Sequence, residues 1–138
     1  MIPAYDPCVS ACTALCIGFA RAIDANRYDD FVALFAPDGV FVRSGQPFAG
    51  HAAIRAFLEA RPDGRVTRHL CTNIAIRVVD SENAEGDCSV IMFQGALQRS
   101  GPSEASPPPS VVDYRDRFVL TSGGWRFARR EVQVIFRS

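Results

Sequence analysis

The stretch RVTRHLCTNIAIRVV, residues 65–79, decides the fold of this chain. It predicts one long β-strand, because successive side chains along a strand point to opposite faces of a sheet. One face carries the apolar residues Val66, Leu70, Ile74, Ile76 and Val78. The other face carries small or weakly polar residues: Thr67, His69, Cys71, Asn73 and Ala75. The second face is typical of a pocket wall, and His69 on it is the candidate catalytic base.

Three helices are predicted before this strand. Apolar periodicity indicates them over residues 8–25, 28–35 and 51–60. The first carries Phe19 in its apolar stripe, and the third carries Phe57 on its inner side. Asp24 falls near the C-terminal end of the first helix, where the helix dipole disfavours negative charge. Asp24 is therefore either a free surface carboxylate or one that is kept for a role.

Three more long strands are predicted after residue 80, over residues 84–98, 111–121 and 125–136, and residues 40–42 add a short one. The Pro/Ser-rich loop 101–110 joins two strands, because prolines cannot donate to a sheet ladder. Helices followed by successive strands predict one α+β domain over residues 1–138. We expect the helices to pack on the concave face of a curved, mostly antiparallel sheet.

Composition narrows the classes of function. Fifteen basic and fifteen acidic residues cancel, and no basic stripe is present, so nucleic acid is not an expected partner. No apolar run approaches ~18 residues, so no membrane span is expected. The first ten residues lack the features of a signal peptide, so a cytoplasmic location is expected. Five cysteines without Cys-x-x-Cys spacing predict free thiols and no metal site.

Several motifs together resemble a known family. They are Ile23-Asp24, the run LFAPDGV at residues 34–40, Gly50 with Ala53-Ile54, Thr67-Arg68-His69, Asp113-Tyr114 and residues 124–127, GWRF. Their order and spacing are similar to the SnoaL-like branch of the nuclear transport factor 2-like superfamily. The resemblance covers nearly the whole chain and implies a cone-shaped α+β barrel. Because this scaffold serves isomerases, hydrolases, dehydratases and non-enzymes, the fold alone does not give the function.

Two members of the superfamily resemble the chain more than others do. Scytalone dehydratase and the lindane dehydrochlorinase both place an Asp at the end of the first helix and a His early on the long strand, which Asp24 and His69 match. Asn73 and Arg130 are similar to the dehydrochlorinase pattern. Departures are a missing second His, Ile23 in place of the dehydratase's Tyr, and the absence of any Lys. The acid of ketosteroid isomerases is replaced by Arg43, which argues against that chemistry.

The resemblance implies a lyase or isomerase that works without a cofactor. His69 would abstract a proton from a small hydrophobic, cyclic substrate, with Asp24 orienting the imidazole and Arg130 holding the leaving group. Tyr114 and Asn73 would donate hydrogen bonds. Cys71, Phe19 and Phe57 complete the predicted pocket lining. No glycine-rich phosphate loop is present, so no organic cofactor is expected.

Other interpretations stay open at this stage. Asp24 and His69 can form a buried structural pair inside a non-catalytic ligand-binding module. The chain can also be an association module like the small subunit of ring-hydroxylating dioxygenases, which needs no such pair. A homodimer, with a trimer as the alternative, is predicted through the apolar face of the long strand, because monomers rarely expose such a patch.

Overall fold

The computed structural model describes residues 6–106 and 108–137. Helices are α1 (Pro7–Asp24), α2 (Tyr28–Ala33) and α3 (His51–Glu59). Strands are β1 (Phe35–Arg43), β2 (Gln46–Ala49), β3 (Arg65–Val78), β4 (Asn83–Ala96), β5 (Ser110–Thr121) and β6 (Gly124–Phe136). Residues 1–5, on which part of the signal-peptide expectation falls, lie outside the described residues. Pro107 of the loop 101–110 lies outside them as well.

One curved, six-stranded sheet has the order β2-β1-β6-β5-β4-β3. All neighbouring strands are antiparallel except β1 and β6, which run parallel. The sheet is open, because β2 and β3 stand at its two edges. The α+β class and the mostly antiparallel sheet predicted from the sequence are confirmed. The face of the sheet that α1 covers is called the inner face below.

Helix α1 begins with a side-chain cap. The Asp6 carboxylate accepts hydrogen bonds from the main-chain N–H groups of Cys8 (2.9 Å) and Val9 (3.3 Å), and Pro7 occupies the first turn, where its missing N–H does no harm. With 18 residues and a mean hydropathy of 1.3, α1 is long and apolar enough to cross a membrane by length and composition alone. Its buried stripe lies in the core, which accounts for that composition.

Aromatic rings fill the space between the helices and the sheet. The Phe19 ring of α1 lies 4.4 Å from Phe31, 5.7 Å from Phe41 and 6.2 Å from Phe127, measured between ring centroids. Such tilted and edge-on arrangements are the favourable ones for aromatic pairs. The cluster fixes α1 against the sheet and so determines where Asp24, at the end of α1, can reach.

A β-bulge in β3 corrects the predicted alternation. Asn73 has a positive φ of 54°, and the register with β4 shifts between Thr72 and Ala75. An extra residue in one strand moves the following side chains to the other face. Ile74 and Ile76 consequently pack against the core, so the prediction that they share an outer face with Val66 and Leu70 is wrong.

Strand β2 was not predicted from the sequence. It follows a tight turn in which Ser44 and Gly45 both have positive φ, 51° and 76°. Residues 37–39 lie within β1, where the register with β6 shifts between Phe35 and Val40. At Gly39 a Cβ atom would approach the main-chain oxygen of Phe127 to 2.8 Å, so only glycine fits that close contact.

Candidate functional site

Asp24 and His69 form the most closely connected pair of functional side chains. Nδ1 of His69 lies 2.5 Å from Oδ1 of Asp24, and the main-chain N–H of His69 donates to Oδ2 at 2.8 Å. The Thr67 hydroxyl also donates to Oδ1, at 2.9 Å. The Asp24 carboxylate at the end of α1 therefore binds two residues of β3, Thr67 and His69, which lie on the inner face of the sheet.

These contacts decide which ring nitrogen can act as a base. A carboxylate accepts hydrogen bonds, so Nδ1 of His69 carries the proton and donates it to Asp24. Nε2 then holds the free lone pair. It makes no hydrogen bond to any part of the chain that the structure describes. An imidazole held in this tautomer is ready to accept a proton at Nε2.

Both side chains of the pair are largely buried, His69 at 12% and Asp24 at 13% exposure. Burial pushes the pKa of Asp24 upward, but hydrogen bonds from the ring and the main chain of His69 and from Thr67 outweigh it, and the net pKa is lowered. Asp24 is consequently held as a carboxylate, the form that an imidazolium at His69 needs as its partner.

An open hollow of about 300 Å³ is lined in part by Asp24. Its lining is polar: Arg21, Asp24, Ala25, Arg27 and Arg68. This is a different environment from the apolar pocket that the sequence predicts around His69. The apolar pocket therefore stays a prediction.

Arg130 lies in a second, fully buried centre. Its Nε is 3.0 Å from Oδ1 of Asp116, although the N–H direction misses the oxygen, and Nη1 has no hydrogen-bond partner among residues 6–106 and 108–137. The guanidinium carbon stands 3.9 Å from the centroid of Tyr114, 4.3 Å from Phe19 and 4.7 Å from Phe127. Arg130 is held by one carboxylate and three aromatic faces.

Thiols complete this buried centre. Nη2 of Arg130 donates to Sγ of Cys88 at 3.1 Å, and the Cys16 thiol lies 3.7 Å from Oδ2 of Asp116. Hydrogen bonds from the Cys16 and Cys71 thiols, together with the Arg130 guanidinium, lower the pKa of Cys88. Burial raises the pKa of Asp116 to about 7, although Arg130 acts in the opposite direction. The Arg130 guanidinium thus has both a thiol and a carboxyl group beside it.

The predicted site residues divide between these two places. Asp24 and His69 form one, whereas Arg130, Tyr114, Phe19 and Cys71 belong to the other or to its edge. Asp24 and Cys16 are eight residues apart on α1, which corresponds to about 12 Å at 1.5 Å per residue. Asn73 is exposed on the bulge, and the Phe57 ring of α3 lies edge-on to Phe41 and tilted against Phe48.

Sequence reasoning missed the roles of two residues. Thr67 supports Asp24 and precedes His69 by two positions on the same strand face, so alternation was available as a signal. Asp116 is the counter-ion of Arg130, and its inner position follows from alternation with Tyr114. His51, the chain's other histidine, is half-buried, and its Nε2 lies 2.8 Å from the main-chain oxygen of Phe35.

Helices and a curved mixed sheet are the architecture of the nuclear transport factor 2-like folds among the structural neighbours. Residues 9–131 match the SnoaL-like domain, and the chain belongs to this family. No curated protein matches the chain. The family assignment confirms the resemblance seen in the sequence.

Solved structures agree on the fold. A provisionally named scytalone dehydratase from Novosphingobium aromaticivorans is 22% identical with a TM-score of 0.77, over 92% of this chain and 83% of that one. A provisionally named aromatic ring hydroxylase from the same organism is 25% identical with a TM-score of 0.77, over 96% and 94%. A provisionally named dehydratase of the NTF2-like family from Streptomyces avermitilis is 14% identical with a TM-score of 0.76, over 94% and 97%.

Proposed function

We propose that the protein is a lyase or isomerase that abstracts a proton from a small, hydrophobic, cyclic substrate without a cofactor. The observation that carries this proposal is the contact of 2.5 Å between Nδ1 of His69 and the Asp24 carboxylate, which assigns the lone pair of the neutral imidazole to Nε2. A positioned imidazole of this kind is the commonest general base in enzymes. The dehydratase names among the structural relatives are consistent with such chemistry.

The elimination can be written with this pair alone. Nε2 of His69 takes a proton from a carbon next to a carbonyl group, and the electron pair of that C–H bond forms the new C=C bond. A hydroxyl group on the next carbon leaves, and the imidazolium returns the proton to it, so that water is released. Asp24 stays ionised throughout and stabilises the imidazolium while it exists.

One observation favours a second, non-catalytic function. Asp24 accepts hydrogen bonds from the main chain of His69 and from Thr67 as well as from the ring, so the same carboxylate also clasps α1 to β3. In a non-catalytic ligand-binding module, the only role of Asp24 would be to hold α1 against β3. The two functions differ in whether loss of the His69 ring abolishes turnover while the fold persists.

The test is a screen for loss of water from a panel of cyclic β-hydroxy ketones, followed by mass spectrometry. We expect turnover of at least one member by the wild type and none by His69→Ala. The matched control is His51→Ala, which removes the chain's other histidine at a distance from Asp24. Turnover by His69→Ala at the wild-type rate would leave only the binding function.

A further inference from the structure

Three arginines, Arg43, Arg61 and Arg65, lie close enough together to repel one another, and none has an acidic partner among the described residues. Arg65 stands two residues before Thr67 and shares its strand face by alternation, four residues from His69. Arg61 follows α3 and donates from Nη1 to the main-chain oxygen of Ile23 at 3.3 Å, next to Asp24. Arg61 is thus held beside the end of α1, and Arg65 begins the strand that carries His69.

Arg43 ends β1, which lies near the opposite edge of the sheet from β3. It pairs in register with Val132, which pairs with Tyr114, and Tyr114 pairs with Cys88. This row runs across the inner face, because Tyr114 and Cys88 are core residues. Arg43 lies at its end with its guanidinium carbon 5.5 Å from the Phe57 ring centroid. A cation and an aromatic face therefore stand together at the end of β1.

The charges of this arginine cluster, Arg43, Arg61 and Arg65, are uncompensated. None of the three makes an ion pair within residues 6–106 and 108–137. Asp24, the nearby acid, is already engaged by His69 and Thr67. Burial, followed by the proximity of Arg61 and Arg43, lowers the pKa of Arg65. Mutual repulsion among cations is unfavourable unless an anion joins them.

Arg65 also carries an orphaned donor. Its Nε is buried and has no hydrogen-bond partner in the described part of the chain. Leaving a buried donor without an acceptor costs about 1–3 kcal/mol, more for a charged group. A carboxylate placed between these guanidinium groups would satisfy that donor, because the planar fork of arginine matches two carboxylate oxygens.

We propose that the arginine cluster binds the carboxylate of an anionic substrate whose cyclic body packs on Phe57 beside His69. This proposal rests on the proposed function and adds the substrate class, a small cyclic carboxylic acid. When His69 removes a proton next to a carbonyl group, negative charge grows on the substrate. The same guanidinium groups then stabilise it more strongly than they stabilise the ground state.

The experiment uses two probes that differ only in charge, benzoate and benzamide, titrated into the full chain labelled with ¹⁵N. Benzoate should shift the side-chain Nε–H resonance of Arg65 and bind, whereas benzamide at the same concentration should not. Arg65→Ala should weaken benzoate binding about tenfold or more, the scale of one lost charged hydrogen bond. Arg43→Gln, at an exposed position where folding is tolerant, should weaken it as well.

The matched control is Arg55→Gln, because Arg55 on α3 is ion-paired with Asp29 away from the cluster. It should bind benzoate as the wild type does. His69→Ala should also keep benzoate binding, so this measurement stands apart from the loss of turnover that tests the proposed function. Equal binding of benzamide and benzoate, no binding of benzoate, or unchanged binding in folded Arg65→Ala and Arg43→Gln would overturn the proposal.

Discussion

Asp24 holds His69 by two atoms that lie in different parts of the residue, the ring Nδ1 at 2.5 Å and the main-chain nitrogen at 2.8 Å. The second contact fixes the strand and the first fixes the ring, so the imidazole cannot turn without breaking a hydrogen bond to the same carboxylate. This double attachment explains how one residue at the end of α1 sets both the position and the tautomer of His69.

The tautomer itself can be measured without a substrate. In the neutral imidazole of His69 we expect Nδ1 to be protonated and Nε2 to be bare, because Asp24 accepts from Nδ1. Two-bond ¹H–¹⁵N correlation spectra report the protonated nitrogen directly. In Asp24→Asn the preference should weaken or reverse. A wild-type ring protonated only at Nε2 would contradict the assignment.

Asp24 should make the fold sensitive to acid. Its pKa is lowered in the folded state, so its contribution to the free energy of unfolding is complete above the unfolded-state value of ~3.9 and is lost as the pH falls through the lower folded-state value. Urea denaturation between pH 2.5 and 6 should show a steeper loss on acidification for the wild type than for Asp24→Asn. Parallel curves would show that Asp24 does not carry this linkage.

Thr67 should support the pair through its hydroxyl. Thr67→Val keeps the shape but removes the donor to Asp24, and we expect a loss of about 1–2 kcal/mol in the free energy of unfolding. Thr67→Ser, which keeps the hydroxyl, is the control and should lose less. If both variants unfold at the same urea concentration, the hydrogen bond contributes nothing measurable.

Arg130 should contribute to the free energy of unfolding rather than to turnover. Arg130→Met leaves Asp116 buried without its counter-ion, which typically costs about 3–5 kcal/mol. The double variant Arg130→Met with Asp116→Leu should unfold at a higher urea concentration than the single variant, because no charge remains buried. A single variant as stable as the wild type would mean that the pair is not a structural element, and a catalytic role for Arg130 would regain weight.

We propose that copies of the chain assemble through the outer sheet face. The surface differs from the predicted one, because Ile74 and Ile76 pack against the core. Leu70 pairs with Ile91, Ile91 with Val111 and Val111 with Phe136, so an apolar row crosses four strands, and Leu70 is 52% exposed. A second copy could cover this row in a dimer or a trimer. Leu70→Asp should shift sedimentation toward the monomer, with Val79→Asp beyond the row as the control. A wild type that sediments as a monomer would refute the proposal.

The sequence predicted the order of helices and long strands because each element carries a clear periodicity. The contact between Asp24 and His69 was predicted from the resemblance to a known family. No local sequence pattern indicates a contact between residues 45 positions apart. The bulge at Asn73 could not be predicted, because alternation before and after it is equally regular and only the partner strand shows the shift.

Arg130 shows a different limit of sequence reasoning. A charged residue on the last strand of a pocket fold suggests substrate contact, yet its surroundings are Asp116, a thiol and three rings. Asp116 alternates with Tyr114 and Phe118 along β5, which indicates an inward side chain, but the alternation does not indicate which residue is its partner. The pairing of two buried charges from neighbouring strands becomes visible only in the register of β5 with β6.

The central claim, that His69 is a general base oriented by Asp24, is tested most directly by hydrogen exchange in D₂O. The measured quantity is the rate at which a bound cyclic keto acid exchanges the proton next to its carbonyl group. We predict that His69→Ala and Asp24→Asn each lower the rate by about 10²–10⁴-fold while His51→Ala leaves it unchanged. Exchange at the wild-type rate in both folded variants would contradict the claim.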